Sequence, residues 1–274
     1  KEGPRVVKYM TILDKIIETK KQEVAENKAK TPVSKLERSQ YFERKCISFR
    51  KNIEMQGTSG IIAEYKRQSP SKGIINNNVP VKEVAEGYFK AGASAMSILT
   101  DNQYFGGCNN DLLEGRSAVG LPIIRKEFII DEYQIVEAKS IGADAILLIA
   151  ACLTALEIKT LTDFAHSLGL EILLELHDES ELKKVYDHAD MIGINNRNLK
   201  NFVVDVEHAI KMAHSLPKKM TKIAESGLDS PHTVAMLRKE GFHGFLMGEH
   251  FMKTSNPGLA CQNFITELRN IEKR

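Results

Sequence analysis

Eight short segments rich in Ile, Leu and Ala start 20 to 34 residues apart after residue 60, and stretches of helical periodicity separate them. This pattern predicts an α/β fold, a (β/α)8 TIM barrel with an N-terminal helical extension. Each spacing holds one strand, one loop and one helix. A doubly wound sheet usually has about five or six strands. Eight units in roughly 215 residues fit the barrel better, for which about 250 residues is typical.

In chain order, residues 1–9 are polar and are read as an appended or disordered segment, and 10–274 as a single barrel domain. Within 10–58, Ile12, Leu13, Ile16 and Ile17 mark one amphipathic helix, and residues 42–53 a second, both packed on the barrel. The strand segments are 61–66, 95–101, 122–128, 145–151, 171–177, 191–197, 222–227 and 245–248. Between them, Thr154 and Glu157 have capping-box spacing, followed by Leu161, Phe164, Ala165 and Leu168 on one helical face. Gly169 is placed to end that helix. Asp178 and Glu181 repeat the capping spacing before Leu182, Val185, Tyr186 and Ala189, which predicts another helix. Val206, Ala209, Ile210 and Ala213 share a face, and Ser230-Pro231 reads as an N-cap with proline at the first helical position. Gly92-Ala93-Ser94-Ala95 and Gly142-Ala143-Asp144-Ala145 resemble each other, as an internal repeat would.

Composition excludes several classes of function. With 38 Lys and Arg against 36 Asp and Glu, the 274-residue chain carries a net charge of +2, without the basic excess that nucleic-acid binding requires. The longest apolar run, 145–153, is far short of the roughly 18 residues of a membrane span. Cys46, Cys108, Cys152 and Cys261 lie far apart without CxxC spacing, so free thiols in a reducing cytoplasm are expected, with neither zinc nor disulfides. The N-terminus has no signal-peptide pattern. No His, Cys and Asp cluster has metal-ligand spacing, and no metal is expected.

In a barrel, chemistry collects at the C-terminal ends of the strands. Side-chain alternation aligns Ile62, Glu64 and Lys66 on one face of the first strand, and Ile124, Lys126 and Phe128 on the third. Leu173, Glu175 and His177 share a face of the fifth, Gly193, Asn195 and Arg197 of the sixth, and Ile223 and Glu225 of the seventh. Carboxylates and lysines in one enclosed mouth perturb one another's protonation, as acid–base catalysis requires. Burial and neighbouring cations are expected to lower a lysine's pKa there. His177, followed by the Asp178 cap, reads as an orienting or rim residue. Glycines in Glu225-Ser226-Gly227 and Met247-Gly248-Glu249 let backbone N–H groups approach a phosphate. The long polar stretch 66–80 reads as a lid over a bound anion.

These motifs together resemble the indole-3-glycerol phosphate synthase family. Ile62-Ala63-Glu64-Tyr65-Lys66 runs into Ser69-Pro70-Ser71-Lys72-Gly73, and Leu99-Thr100-Asp101 is followed by Tyr104-Phe105-Gly106-Gly107. Arg125-Lys126-Glu127-Phe128, Leu173-Leu174-Glu175, Gly193-Ile194-Asn195-Asn196-Arg197 and Glu225-Ser226-Gly227 complete the set. The resemblance implies ring closure of 1-(2-carboxyphenylamino)-1-deoxy-D-ribulose 5-phosphate to indole-3-glycerol phosphate, carbon dioxide and water, without a cofactor. It assigns the acid of ring closure to Lys126, the general base to Glu175, and supporting catalytic roles to Lys66, Glu64 and Asn195, leaving open which lysine serves which step. Substrate contacts fall to Ser69, Phe128, Leu147, Arg197, Leu199 and Glu225, with Phe128, Leu147 and Leu199 forming an apolar wall. Phosphate contacts fall to Ser69, Ser226, Gly227, Gly248 and Glu249. Cys108 and Glu249 stand where serine is expected in some relatives, which leaves the backbone N–H of Glu249 as the donor. Competing readings are a sister barrel such as phosphoribosylanthranilate isomerase, or a non-catalytic phosphate-binding barrel. A monomer in the cytoplasm, acting on a phosphorylated small molecule with no nucleic acid or membrane partner, is expected.

Overall fold

The computed structural model describes residues 10–197 and 204–273. Eight parallel strands form a closed barrel: β1 (Ile61–Tyr65), β2 (Ala95–Leu99), β3 (Ile123–Lys126), β4 (Ala145–Ile149), β5 (Glu171–Leu176), β6 (Met191–Asn195), β7 (Thr221–Glu225) and β8 (Gly244–Met247). Every strand overlaps a segment read from the sequence. Each pairs with its neighbours in chain order, and β1 closes the ring by pairing with β8, Ile61 opposite Phe245. A small hairpin joining Gln68–Ser69 to Gly73–Ile74 stands in the loop after β1.

The alternation of side chains divides the core into two shells. Ile62, Ala95, Ile124, Ala145, Leu173, Met191 and Ile223 fill the barrel. Ile61, Ala63, Met96, Ile146, Leu174, Ile192 and Phe245 face the surrounding helices. Those helices are α4 (Val81–Ala91), α5 (Asn109–Ala118), α6 (Glu132–Ser140), α7 (Ala155–Ser167), α8 (Val206–Ser215), α9 (Pro231–Lys239), a short α10 (Glu249–Met252) and α11 (Pro257–Glu272). The capping box of Thr154 and Glu157 and the Ser230 cap form as their spacing predicts.

The similar strand-entry motifs turn out to share a hydrogen bond. Ser94, immediately before β2, accepts the Gly60 N–H at 2.8 Å, and Asp144, before β4, accepts that of Ile123 at 2.8 Å. Asp190 before β6 accepts from Ile172, and His243 before β8 from Lys222. The repeat is therefore of two strand–helix units, each tied across its base.

The N-terminal extension occupies both ends of the barrel. Ahead of the barrel strands lie α1 (Ile12–Lys30), α2 (Val33–Leu36) and α3 (Phe49–Glu54). Phe49 and Ile53 of α3 plug the base against Ile62, Ala95 and Ile223. The helix expected over 42–53 is confined to 49–54. Asp144 fastens the preceding residues instead, accepting the Ile47 N–H at 2.7 Å and pairing with Arg44 and Arg116. The helix predicted after Asp178 is also corrected, to a 3-10 turn over Glu179–Lys184. Lys184 Nζ donates to the carbonyls of Ala150 and Leu153 at 2.6 and 2.9 Å, which draws the segment onto the barrel. No helix among the described residues is long and apolar enough to cross a membrane.

Candidate active site

At the C-terminal end of the strands lies a cavity of about 410 Å³. Its centre is Lys126 at the end of β3, whose Nζ lies 2.7 Å from both Glu175 Oε2 on β5 and Glu225 Oε2 on β7. Burial lowers the pKa of this ammonium, but Glu175, Glu225 and Glu64 outweigh burial and hold it above the ordinary lysine range. This corrects the expected lowering: carboxylates, not cations, surround the lysine.

The two carboxylates diverge. Burial favours the protonated form of Glu175, yet Lys126 and His177 reverse this and keep its pKa well below the usual range. Burial and then the Glu175 charge push Glu225 up to about 8, opposed by Lys126. Glu175 has a second partner, His177 Nε2 at 2.8 Å from its Oε1, which together with Lys126 favours its ionised form. The same Oε1 accepts from Asn195 Nδ2 at 3.2 Å, while Asn195 Oδ1 accepts the Arg197 N–H at 3.0 Å. On β1, Glu64 accepts from Ser97 Oγ at 3.0 Å and pairs with Lys66 at 3.2 Å.

Two glycines make room for these carboxylates. A Cβ on Gly193 of β6 would stand 2.1 Å from Glu225 Oε1, and one on Gly248 would stand 2.7 Å from Glu64 Oε1. Gly193→Ala is expected to cost about 1–3 kcal/mol of stability by overpacking and to slow turnover by displacing Glu225 from Lys126. Urea midpoints and kcat measured together check this; both unchanged would refute it.

The cavity has an apolar side. Phe105 and Phe128 lie with ring centroids 6.1 Å apart, inclined at 39°, and Leu147 lines the same space. At the rim, Arg197 Nη1 donates to Ser71 Oγ at 3.1 Å, and Ser71 lies 3.4 Å from Ser69 Oγ. Glu249 carries its charge 3.7 Å from Arg197 and 3.8 Å from Lys72. Ser226 adopts φ +68°, the one positive φ at a non-glycine among the described residues, beside Gly227 at φ +68°. Such strain clusters at ligand-binding turns.

The structure therefore brings Glu64, Lys66, Ser69, Lys126, Phe128, Leu147 and Glu175 to one cavity with Asn195, Arg197, Glu225, Ser226, Gly227, Gly248 and Glu249. Leu199 lies outside the described residues. Sequence reasoning missed the part taken by α1: Ile12, Leu13 and Ile16 line the cavity. Their helical spacing was visible, but nothing local indicates which end of the barrel a flanking helix covers. The ion pair of His177 with Glu175 gives the orienting reading of that residue a defined partner.

A closed (β/α)8 barrel with an ammonium between carboxylates, an apolar wall and a glycine-lined rim is the architecture of a barrel enzyme that works by proton transfer. The chain belongs to the indole-3-glycerol phosphate synthase family: that family's model matches residues 13–264. It is 46% identical over 258 residues to the indole-3-glycerol phosphate synthase of Bacteroides thetaiotaomicron, covering 94% of this chain and 99% of that one. It is 44% identical to that of Polynucleobacter asymbioticus, covering 91% and 97%. Among solved structures, a mutant tryptophan synthase alpha-subunit from the hyperthermophile Pyrococcus furiosus superposes with a TM-score of 0.60 at 15% identity, covering 78% of this chain and 98% of that one, a likeness of fold alone. The activity is that of a carboxy-lyase of tryptophan biosynthesis, forming indole-3-glycerol phosphate. The isomerase and non-catalytic readings are not favoured.

Proposed function

We propose that Lys126 is the general acid of ring closure and Glu175 the general base, a reading carried by one observation, the 2.7 Å contact that joins them inside the cavity. As the aromatic carbon bearing the carboxylate attacks the ribulose carbonyl, Lys126 gives a proton to the developing alkoxide. Carbon dioxide leaves from that carbon, its bonding pair restoring the benzenoid ring, and Glu175 then takes a proton from the carbon attached to nitrogen, closing the pyrrole double bond as the hydroxyl departs. Lys66, held by Glu64, binds the substrate carboxylate and protonates the departing hydroxyl as water. Asn195 holds Glu175, and Glu225 binds a substrate hydroxyl. Phe128 and Leu147 wall the anthranilate ring. Ser69, Ser226, Gly227, Gly248 and the backbone N–H of Glu249 receive the phosphate beside Arg197.

This reading predicts a pH dependence. When Glu225 ionises near pH 8, a second full charge beside Lys126 stabilises the ammonium and weakens it as an acid. The profile of kcat/KM, which reports the free enzyme, should fall through that pH, and Glu225→Gln should remove the limb. Following indole fluorescence across pH checks it. A limb that persists unchanged in the variant would overturn the assignment.

We infer further that residues 10–274 act as one domain, because α1 and α3 are built into the barrel ends, and that the chain acts as a monomer, because α1 and the strand ends supply both the apolar wall and the charged centre of the cavity. The free thiols of all four cysteines support a cytoplasmic location.

A further inference from the structure

Lys20 of α1 is only 2% exposed, yet it reaches three carboxylates. Its Nζ lies 2.7 Å from Asp101 Oδ2, 3.1 Å from Glu127 Oε1 and 2.6 Å from Glu23 Oε2. Asp101 is fully buried and Glu127 nearly so. Burying such a group gives little net stability, because desolvation offsets the Coulombic attraction. What these carboxylates hold is more informative. Asp101 Oδ1 accepts the backbone N–H of Phe105 at 3.1 Å, and Glu127 Oε1 accepts that of Phe128 at 2.8 Å. The two phenyl rings of the cavity wall are thus each fixed by a carboxylate that meets the same ammonium. One turn before Lys20, Ile16 presents its side chain to the same cavity. A second strap runs beside it, Thr19 Oγ1 to Tyr104 Oη at 3.0 Å.

We propose that Lys20 is the positioning residue of the aromatic-ring subsite: its ammonium sets the spacing of Phe105 and Phe128 and seats α1 as the third wall. Lys20 itself does not line the cavity, so it acts through these groups. The proposal rests on assigning the Phe105–Phe128 wall to the substrate's anthranilate ring.

The test compares two ligands that cannot turn over. One is the substrate analogue whose ketone is reduced to an alcohol, which keeps ring and phosphate; the other is ribulose 5-phosphate, which lacks the ring. In Lys20→Met, calorimetry should give ~10-fold weaker binding of the ring-bearing analogue, the scale of one lost aromatic contact, with ribulose 5-phosphate within ~2-fold of wild type. In turnover, KM should rise with kcat held, the signature of lost uniform binding. Should Lys20→Met not fold, Asp101→Asn serves, since it keeps an oxygen for the Phe105 N–H and removes the charge facing Lys20. Equal weakening of both ligands, or no weakening of the analogue, overturns the proposal. Phe128→Ala separates the two levels: unchanged affinity for the analogue there overturns the wall assignment, and the proposal with it.

Discussion

Lys126→Ala is expected to lower kcat by about 10²–10⁴-fold, the scale of losing a general acid. The loss has two physical sources. The acid that neutralises the alkoxide in ring closure is removed, and Glu175 and Glu225 then face each other without the cation that lies 2.7 Å from each. Removing one member of a buried ion network typically costs about 3–5 kcal/mol, so stability and catalysis must be separated. Lys126→Arg does so. A guanidinium keeps the charge between the carboxylates but does not release a proton at working pH. It should recover much of the urea midpoint and little of the turnover. Near-normal kcat in Lys126→Ala would remove this residue from the acid role.

Glu175→Gln is the second large effect. It preserves the shape beside Asn195 and His177 while abolishing the basic oxygen, and turnover should again fall by about 10²–10⁴-fold. Binding of the reduced analogue should be nearly unchanged. A secondary shift follows from coupling between the carboxylates. The Glu175 charge helps push Glu225 upward, with Lys126 opposing. In Glu175→Gln, Lys126 faces one buried carboxylate fewer, and the Glu225 titration should move below its position near 8. Carbon-13 NMR of labelled glutamate carboxyls reads this directly. A Glu225 titration unmoved in Glu175→Gln would mean that the two carboxylates are not coupled.

Particular residues mark what the sequence made legible. Glu64, Lys126, Glu175, Asn195 and Glu225 could be placed at one mouth because alternation along a strand is a local property. Two residues below each of these positions stands an apolar or small residue of the barrel interior, Ile62, Ile124, Leu173, Gly193 or Ile223. Gly193 was visible only as an interior position. That it must lack a side chain became evident once Glu225, from the adjacent strand, occupied the space a Cβ would take. The helix predicted after Asp178 failed for a similar reason: Asp178 does cap the segment, accepting the Ser180 N–H, but Glu181 accepts from the His177 N–H and Lys184 found carbonyls on another loop. Local periodicity cannot anticipate such a tether.

The sequence by itself determined the barrel, the inward face of each strand and the family's motif residues, because strand pleat and helix capping act over a few neighbours in the chain. Only the tertiary structure decided which groups share a proton and which end of the barrel each N-terminal helix covers. Lys126 meets carboxylates 49 and 99 residues away, and Lys20 meets Asp101 and Glu127 across comparable separations. Charges couple through space and in proportion to how far water is excluded, and neither their separation nor that exclusion exists until the ring of strands has closed.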